Sequence, residues 1–239
     1  MSESYNPWFE EALSSTYLER ADIQIVDRKR LIEILKSFYD YFIGINQNKK
    51  ILDIGCGDGI LTHELLKIDN TISATLIDGS KDMMSKAKKR LLGYSDIEFV
   101  NASFEEIMNT KLELVNYDFI FSSFAIHHLD TKSKTKFFQY IYQHLNINGY
   151  FVNTDIILSP TKSLEKWYLK LWKEWIEQKK TAFKLEGNYG DIIDGYQAES
   201  HYSALDTMRD QLDALKVNGF REIECYYKFG IFSMYGGKK

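Results

Sequence analysis

Residues 49–66, KKILDIGCGDGILTHELL, decide the fold. The short run KKILDI ends in glycines at 55, 57 and 59, and an apolar helical pattern begins at Ile60. Strand, tight turn and helix in that order form the opening unit of an α/β domain. The glycines let the turn backbone approach a ligand closely, beside the positive end of the following helix.

The same rhythm continues downstream. TISATLID (71–78), DIEFV (96–100), YDFIFSS (117–123) and GYFVNTDII (149–157) read as strands, with helical patterns over about 60–68, 81–91 and 132–145. Alternation at this spacing predicts right-handed crossovers and a parallel sheet with helices on both faces. The ending differs: a helix over about 204–217 closes at Asn218-Gly219, and REIECYYKF and IFSMYGG then follow, joined through Gly230. Two strands so closely joined must pair antiparallel. We therefore expect an α/β, Rossmann-like, seven-stranded, mostly parallel sheet with an antiparallel last strand.

Upstream, from Trp8 to about Ile45, the pattern is helical, with Leu31, Ile34, Leu35, Phe38, Tyr41 and Phe42 on one face. The chain reads as a single domain: an N-terminal helical layer over 1–48, a ligand-binding core over 49–158, an inserted cap over 159–203, and a C-terminal helix and hairpin over 204–239. The cap starts after Pro160 with an amphipathic helix and runs into GNYGDIIDGYQAESHYS (187–203).

Composition narrows the partners. The 239 residues carry 44% hydrophobic side chains, enough for a substantial core, and a formal charge of −4. That charge supplies no general attraction to nucleic acid or anionic lipid. Cys56 and Cys225 form neither a metal spacing nor a disulfide framework, so no metal centre is expected. No apolar run approaches the roughly 20 residues needed to span a bilayer, and the polar stretch MSESYNPWFEE has no basic n-region followed by an apolar h-region. The expectation is a cytoplasmic monomer or homodimer with no membrane partner.

The glycine turn also constrains its ligand. A dinucleotide fingerprint needs a glycine at 60, where Ile60 stands, and Asp53 and Asp58 occupy the neighbourhood of a pyrophosphate. Carboxylates there suit a cation. Asp78 ends the second strand, 23 positions after Gly55, where an acid can accept both ribose hydroxyls. S-adenosylmethionine, with an ammonium, a sulfonium and no phosphate, meets these conditions; its demethylated product is S-adenosylhomocysteine.

Through ILDIGCGDG, LIDGS, VNASFEEI, YDFIFSSFAIHHL and HLNINGYFV, in that order over residues 49–157, the chain resembles the class I S-adenosylmethionine-dependent methyltransferase family. The resemblance implies that Asp53, Gly55, Cys56 and Gly57 line the methionine portion, Asp78 the ribose and Met83 the adenine, with Gly79 also in the cofactor site. Asn101, Ala102 and Ser103 follow the third strand, where the family more often has an aspartate facing the adenine amino group. Ser122 and Ser123 would border the methionine tail, and Arg20 is a candidate for the cofactor carboxylate.

The acceptor side is expected near His127 and His128, just beyond the fourth strand, since a near-neutral imidazole suits removal of a proton from an N or O nucleophile. Some small-amine methyltransferases of the family pair the second position of such a motif with a tyrosine of the N-terminal helix, which here matches His128 with Tyr17. Leu164, Tyr168, Leu171, Trp172 and Trp175 read as an aromatic lid or as a core stripe, with Lys166, Lys170 and Lys173 on another face. Tyr189, Tyr196, His201 and Tyr202 are further pocket candidates. The acceptor is expected to be a small molecule. The alternatives are a tRNA-modifying enzyme, a non-catalytic S-adenosylmethionine binder, and an enzyme similar to carboxy-S-adenosylmethionine synthase. The last would need a buried cation for its extra carboxylate, and residues 181–208 contain no arginine.

Overall fold

The computed structural model describes residues 11–109, 116–184, 189–202 and 205–239. Its centre is a seven-stranded sheet made of β1 (Lys50–Ile54), β2 (Ser73–Asp78), β3 (Ile97–Asn101), β4 (Tyr117–Ser123), β5 (Leu145–Ile156), β6 (Arg221–Phe229) and β7 (Phe232–Lys238), in the order β3-β2-β1-β4-β5-β7-β6. The first five are parallel neighbours: Leu52 of β1 sits opposite Thr75 of β2 on one side and Ile120 of β4 on the other. β7 inserts antiparallel between β5 and β6.

Strands buried on both faces need apolar residues on both, and β1 and β4 supply them on either side of the polar Asp53 and Ser122. Ile51, Phe119 and Phe121 point to one face, where they meet Leu31, Leu35, Leu65 and Leu76. Leu52, Ile54 and Ile120 point to the other, against Phe137, Phe138, Ile141 and Leu215. The first face is covered by α1 (Glu11–Gln24), α2 (Arg28–Phe38), α3 (Ile60–Leu66) and α4 (Lys81–Arg90); the second by α5 (Phe104–Asn109), α6 (Thr131–His144) and, across the return from the insertion, α9 (Met208–Val217). The sheet changes winding direction between β1 and β4, which opens a crevice beyond their C-terminal ends.

Several elements depart from the periodicity. The N-terminal helical stretch breaks at Asp27, in the left-handed region at φ 52, and α2 ends in a π-turn over Tyr39–Ile43. A π-turn adds a residue per turn and shifts the helical phase. Tyr41 and Phe42, expected on the buried face with Leu31 and Leu35, are therefore turned to solvent at 72% and 42% exposure. β5 starts four residues before the expected 149, directly after α6. The helix α5 and the 3-10 turn Ile126–His128 are too short for a period to show in sequence.

The insertion forms α7 (Lys162–Phe183), capped by the Thr161 hydroxyl, and α8 (Gly190–Tyr202). α7 buries Trp172 and Ile176, and the Trp172 indole donates to the Gln24 carbonyl at 2.9 Å, fastening the helix to the end of α1. A capping box between Thr207 and Asp210 opens α9 and ends the insertion.

Candidate functional site

The turn after β1 is held open by three left-handed glycines: Gly55 at φ 66, Gly57 at φ 53 and Gly59 at φ 75. A side-chain carbon at Gly55 would overlap the Ala125 methyl, so the turn is seated directly on the segment after β4. The amides of Gly55 and Cys56 donate to the Ile77 carbonyl at 2.8 and 3.0 Å. Asp78 completes the fastening, one carboxylate oxygen accepting from the Gly57 amide at 2.9 Å and the other from the Ser80 amide at 2.8 Å. Each oxygen has lone-pair capacity beyond those bonds.

Three acids crowd the turn. Asp58 is paired with Arg90, whose Nε also donates to the Asp58 carbonyl at 2.9 Å. Asp53 is buried and accepts from the Thr62 hydroxyl at 2.7 Å. Burial pushes its carboxyl up to about 7, against the Thr62 hydrogen bond and with a further push from Asp78 and Asp58. Asp78 is raised too, by burial, against its two amide donors. Among the described residues no cationic side chain pairs with Asp53 or Asp78. Such a turn favours a cation that arrives with the ligand.

Above it lies a cavity of about 190 Å³. Of the residues singled out in the sequence, Asp53, Gly55, Cys56, Gly57, Asp78, Gly79, Met83, Ala102, Ser103, Ser123, His128 and Tyr17 line it. His128 reaches it from the 3-10 turn after β4, and Tyr17 from α1. Burial, and then the positive charges of His127 and Lys134, hold His128 well below the ordinary histidine range, so its ring is neutral at pH 7. Burial pushes the Tyr17 phenol up to about 12, so it keeps its proton. The cavity lining thus includes a neutral imidazole and a protonated phenol.

Four other candidates have different surroundings. Arg20 does not line the cavity; it pairs with Asp191 of α8 at 2.6 Å and lies over the Tyr189 ring. Asn101 is exposed and donates its side-chain amide to the Asp78 carbonyl at 2.8 Å. Ser122 is buried and donates to the Ile54 carbonyl at 2.7 Å, a bond across the sheet. His127 turns into the protein, with Nδ1 2.6 Å from Asp155 Oδ1.

The aromatic stripe of α7 is not in the cavity wall either. Trp172 packs against Tyr196 and Phe232, while Trp175 and Tyr168 carry the ammonium groups of Lys179 and Lys228 over their rings. The side chains of His201 and Tyr202 lie outside the described residues.

Arg28 is the residue that sequence reading passed over. It lines the cavity from the start of α2, with Nη1 2.8 Å from the exposed Asp22. The signal was present: Arg28 stands three and seven positions before Leu31 and Leu35, on the apolar stripe of its helix, and all three line the cavity. Leu18, Ile32, Ile60, Leu61, Phe124 and Met234 complete an apolar wall on that side.

A Rossmann-like sheet with its winding reversal under a glycine turn, and two acids facing the crevice, defines a domain for a cationic adenosine ligand. The chain carries a class I S-adenosylmethionine-dependent methyltransferase domain, and it is an enzyme of that kind, with S-adenosylmethionine as its cofactor. The family profile described as a methyltransferase domain matches residues 51–149. A carboxy-S-adenosyl-L-methionine synthase of Nautilia profundicola is 24% identical, over 85% of this chain and 80% of its own. A phosphoethanolamine N-methyltransferase of Plasmodium falciparum is 29% identical over 63% of this chain and 54% of its own. Among solved structures, an O-methyltransferase family protein of Burkholderia thailandensis superposes with a TM-score of 0.66 at 9% identity, over 96% of this chain; the chain spans 59% of that protein's length.

The residues fit the cofactor. One cavity brings together the buried acids Asp53 and Asp78, of the sign that an ammonium and ribose hydroxyls require, and Arg28, of the sign that a carboxylate requires.

Proposed function

We propose that the chain methylates a small acceptor through a nitrogen or oxygen nucleophile, with His128 facing the reacting atom. The observation that carries the reading is that His128 and Tyr17, more than a hundred residues apart, line the same cavity as the glycine turn and Asp78. Asp53, Gly55, Cys56 and Gly57 would hold the methionine portion, Asp78 and Gly79 the ribose, and Met83, Ala102 and Ser103 the adenine. Arg28, in place of Arg20, would hold the carboxylate.

Once bound, the cofactor supplies a methyl group on a sulfonium, which is a good leaving group. The chain then has mainly to align the nucleophile and exclude water. The apolar wall of Leu18, Ile32, Leu61, Phe124 and Met234 excludes water and favours an acceptor with an apolar body. Neutral His128 accepts the proton of an acceptor N–H, or O–H, and Tyr17 donates a hydrogen bond in the same wall. The Plasmodium relative, by its name an amine methyltransferase, supports this reading. We also propose a cytoplasmic setting and a monomer or homodimer; among the described residues no helix is long and apolar enough to cross a membrane.

The test is transfer of labelled methyl from S-adenosylmethionine to a panel of amines, phenols, carboxylates and tRNA. On the acceptor that turns over, His128→Ala should lower kcat by about 10²–10⁴ while S-adenosylhomocysteine still binds. Full turnover in that variant overturns the assignment.

Arg28 also favours a second reading, in which the ligand carries an extra carboxylate, as the name of the Nautilia relative suggests. Mass spectrometry of ligand released on denaturation decides between them. An excess of one carboxyl group over S-adenosylmethionine selects the second.

A further inference from the structure

His127 stands behind the cavity, and its surroundings hold it tightly. Its Nδ1 lies 2.6 Å from Asp155 Oδ1, and its backbone amide donates to Asp155 Oδ2 at 3.0 Å. A carboxylate only accepts, so Nδ1 carries the proton. Both side chains are buried, at 7% and 3% exposure. On its other side the His127 ring packs on His128, with ring centroids 4.0 Å apart and planes inclined at 45°.

Asp155 is itself fixed. The Asn153 amide donates to its Oδ2 at 3.3 Å and the Ile156 amide to Oδ1 at 3.0 Å. Asn153 also donates to the Tyr235 hydroxyl at 2.8 Å, and Tyr235 donates to Gln211 at 2.9 Å. Gln211 reaches Asp206, which is paired with Lys134 at 2.9 Å. β5, β7, α9 and α6 therefore all contribute to the position of one carboxylate. A buried network with this many members specifies a single arrangement.

We propose that Asp155 and His127 form a positioning pair that fixes the His128 ring at the cavity wall, so that a carboxylate outside the cavity orients the group facing the acceptor. The inference rests on the reading of His128 given above. The charged groups beside the two rings are Asp155 from β5 and Lys134 from α6, with Asp206 as its partner; Tyr235 from β7 and Tyr17 from α1 lie within electrostatic reach of Asp155.

The test is NMR of the histidine rings in the full chain saturated with S-adenosylhomocysteine. In the unsubstituted protein, His127 should show a protonated Nδ1 with a far-downfield, slowly exchanging proton and cross-peaks to the His128 ring. An unprotonated Nδ1 overturns the proposal without any variant. In Asp155→Asn the carboxylate partner of His127 is gone, so the His128 titration should move up and the cross-peaks should weaken. An unchanged titration with intact cross-peaks overturns the proposal. Retained S-adenosylhomocysteine binding reports an intact fold, and if that variant does not fold, the Nδ1 measurement decides. Failure of the functional reading looks different: His128→Ala keeps full methyl transfer, while the unsubstituted chain still shows the His127 and His128 ring signatures.

Discussion

Asp53 shows how a single side chain couples pH to this site. Its carboxyl is raised to about 7 by burial, so the folded, ligand-free chain holds that proton more tightly than the unfolded chain does. The contribution to stability is fully present below the unfolded value near 4 and is lost as pH rises through about 7, on the order of a few kcal/mol. Asp53→Asn should therefore unfold with a shallower dependence on pH between about 5 and 8 than the unsubstituted chain, in urea titrations at each pH. Asp78 is shifted in the same direction and keeps part of the slope in the variant. In the proposed complex, ligand binding would reverse the preference, because an ammonium placed beside Asp53 favours the carboxylate. Near pH 7, binding of S-adenosylhomocysteine should release protons, read as a buffer-dependent enthalpy in calorimetry, and Asp53→Asn should release fewer. Gly55→Ala combines a left-handed φ with overlap on Ala125; it should cost about 2 kcal/mol or more and abolish S-adenosylhomocysteine binding. These residues were legible in sequence because their signal is local: glycine spacing, and an acid at a strand end. Arg28 and Asp155 were not, since one sits in a helix read as packing and the other in a strand whose face cannot be assigned before the sheet is known.

At the scale of elements, the helix α6 was readable and its most consequential residue was not. Periodicity marks Phe137, Phe138 and Ile141 as its buried stripe. Lys134, one turn earlier, is only 1% exposed, with its ammonium 2.9 Å from Asp206. The Thr131 hydroxyl at 2.5 Å and the Gln211 amide at 3.3 Å also reach Asp206, so this carboxylate joins α6 to the start of α9 where the insertion returns. Removing one member of such a pair leaves a buried charge. Lys134→Met should lower unfolding stability by about 3–5 kcal/mol, and adding Asp206→Leu should restore part of it, both measured by urea unfolding. Lys170 and Glu174, paired at 2.6 Å on the exposed face of α7, make the contrast: Lys170→Ala should cost no more than about 0.5 kcal/mol. The two lysines look alike in sequence. What separates them is α9, more than seventy residues away, and no window along the chain can show that. The aromatic face of α7 was ambiguous for the same reason, because Trp172 meets α1 and Phe232 rather than the cavity.

At the scale of the molecule, the parallel core follows from strand-helix alternation, whereas the hairpin's place in the sheet depends on a pairing between β5 and β7 about eighty residues apart. The short connection through Gly230 dictates that β6 and β7 run antiparallel. Nothing in that connection says that β7, and not β6, joins β5; the family resemblance supplied the reversed last strand. The contacts explain the choice. β7 has buried side chains along nearly its whole length, whereas β6 is half exposed and irregular, with Glu222 at φ 49 and two register shifts, as suits an edge. Two consecutive glycines, Gly236 and Gly237, let β7 fit closely: a side-chain carbon on Gly236 would overlap the Phe151 carbonyl of β5. From the same strand Met234 lines the cavity and Tyr235 joins the polar chain behind His127. The hairpin is thus continuous with both the core and the site. Gly236→Ala should lower the Tm and raise hydrogen exchange in β5 and β7 together with α6, as one cooperative unit, and should weaken S-adenosylhomocysteine binding. Faster exchange confined to β6 and β7, with ligand affinity intact, would make the hairpin an appendage to a five-stranded core and remove β7 from the architecture of the site.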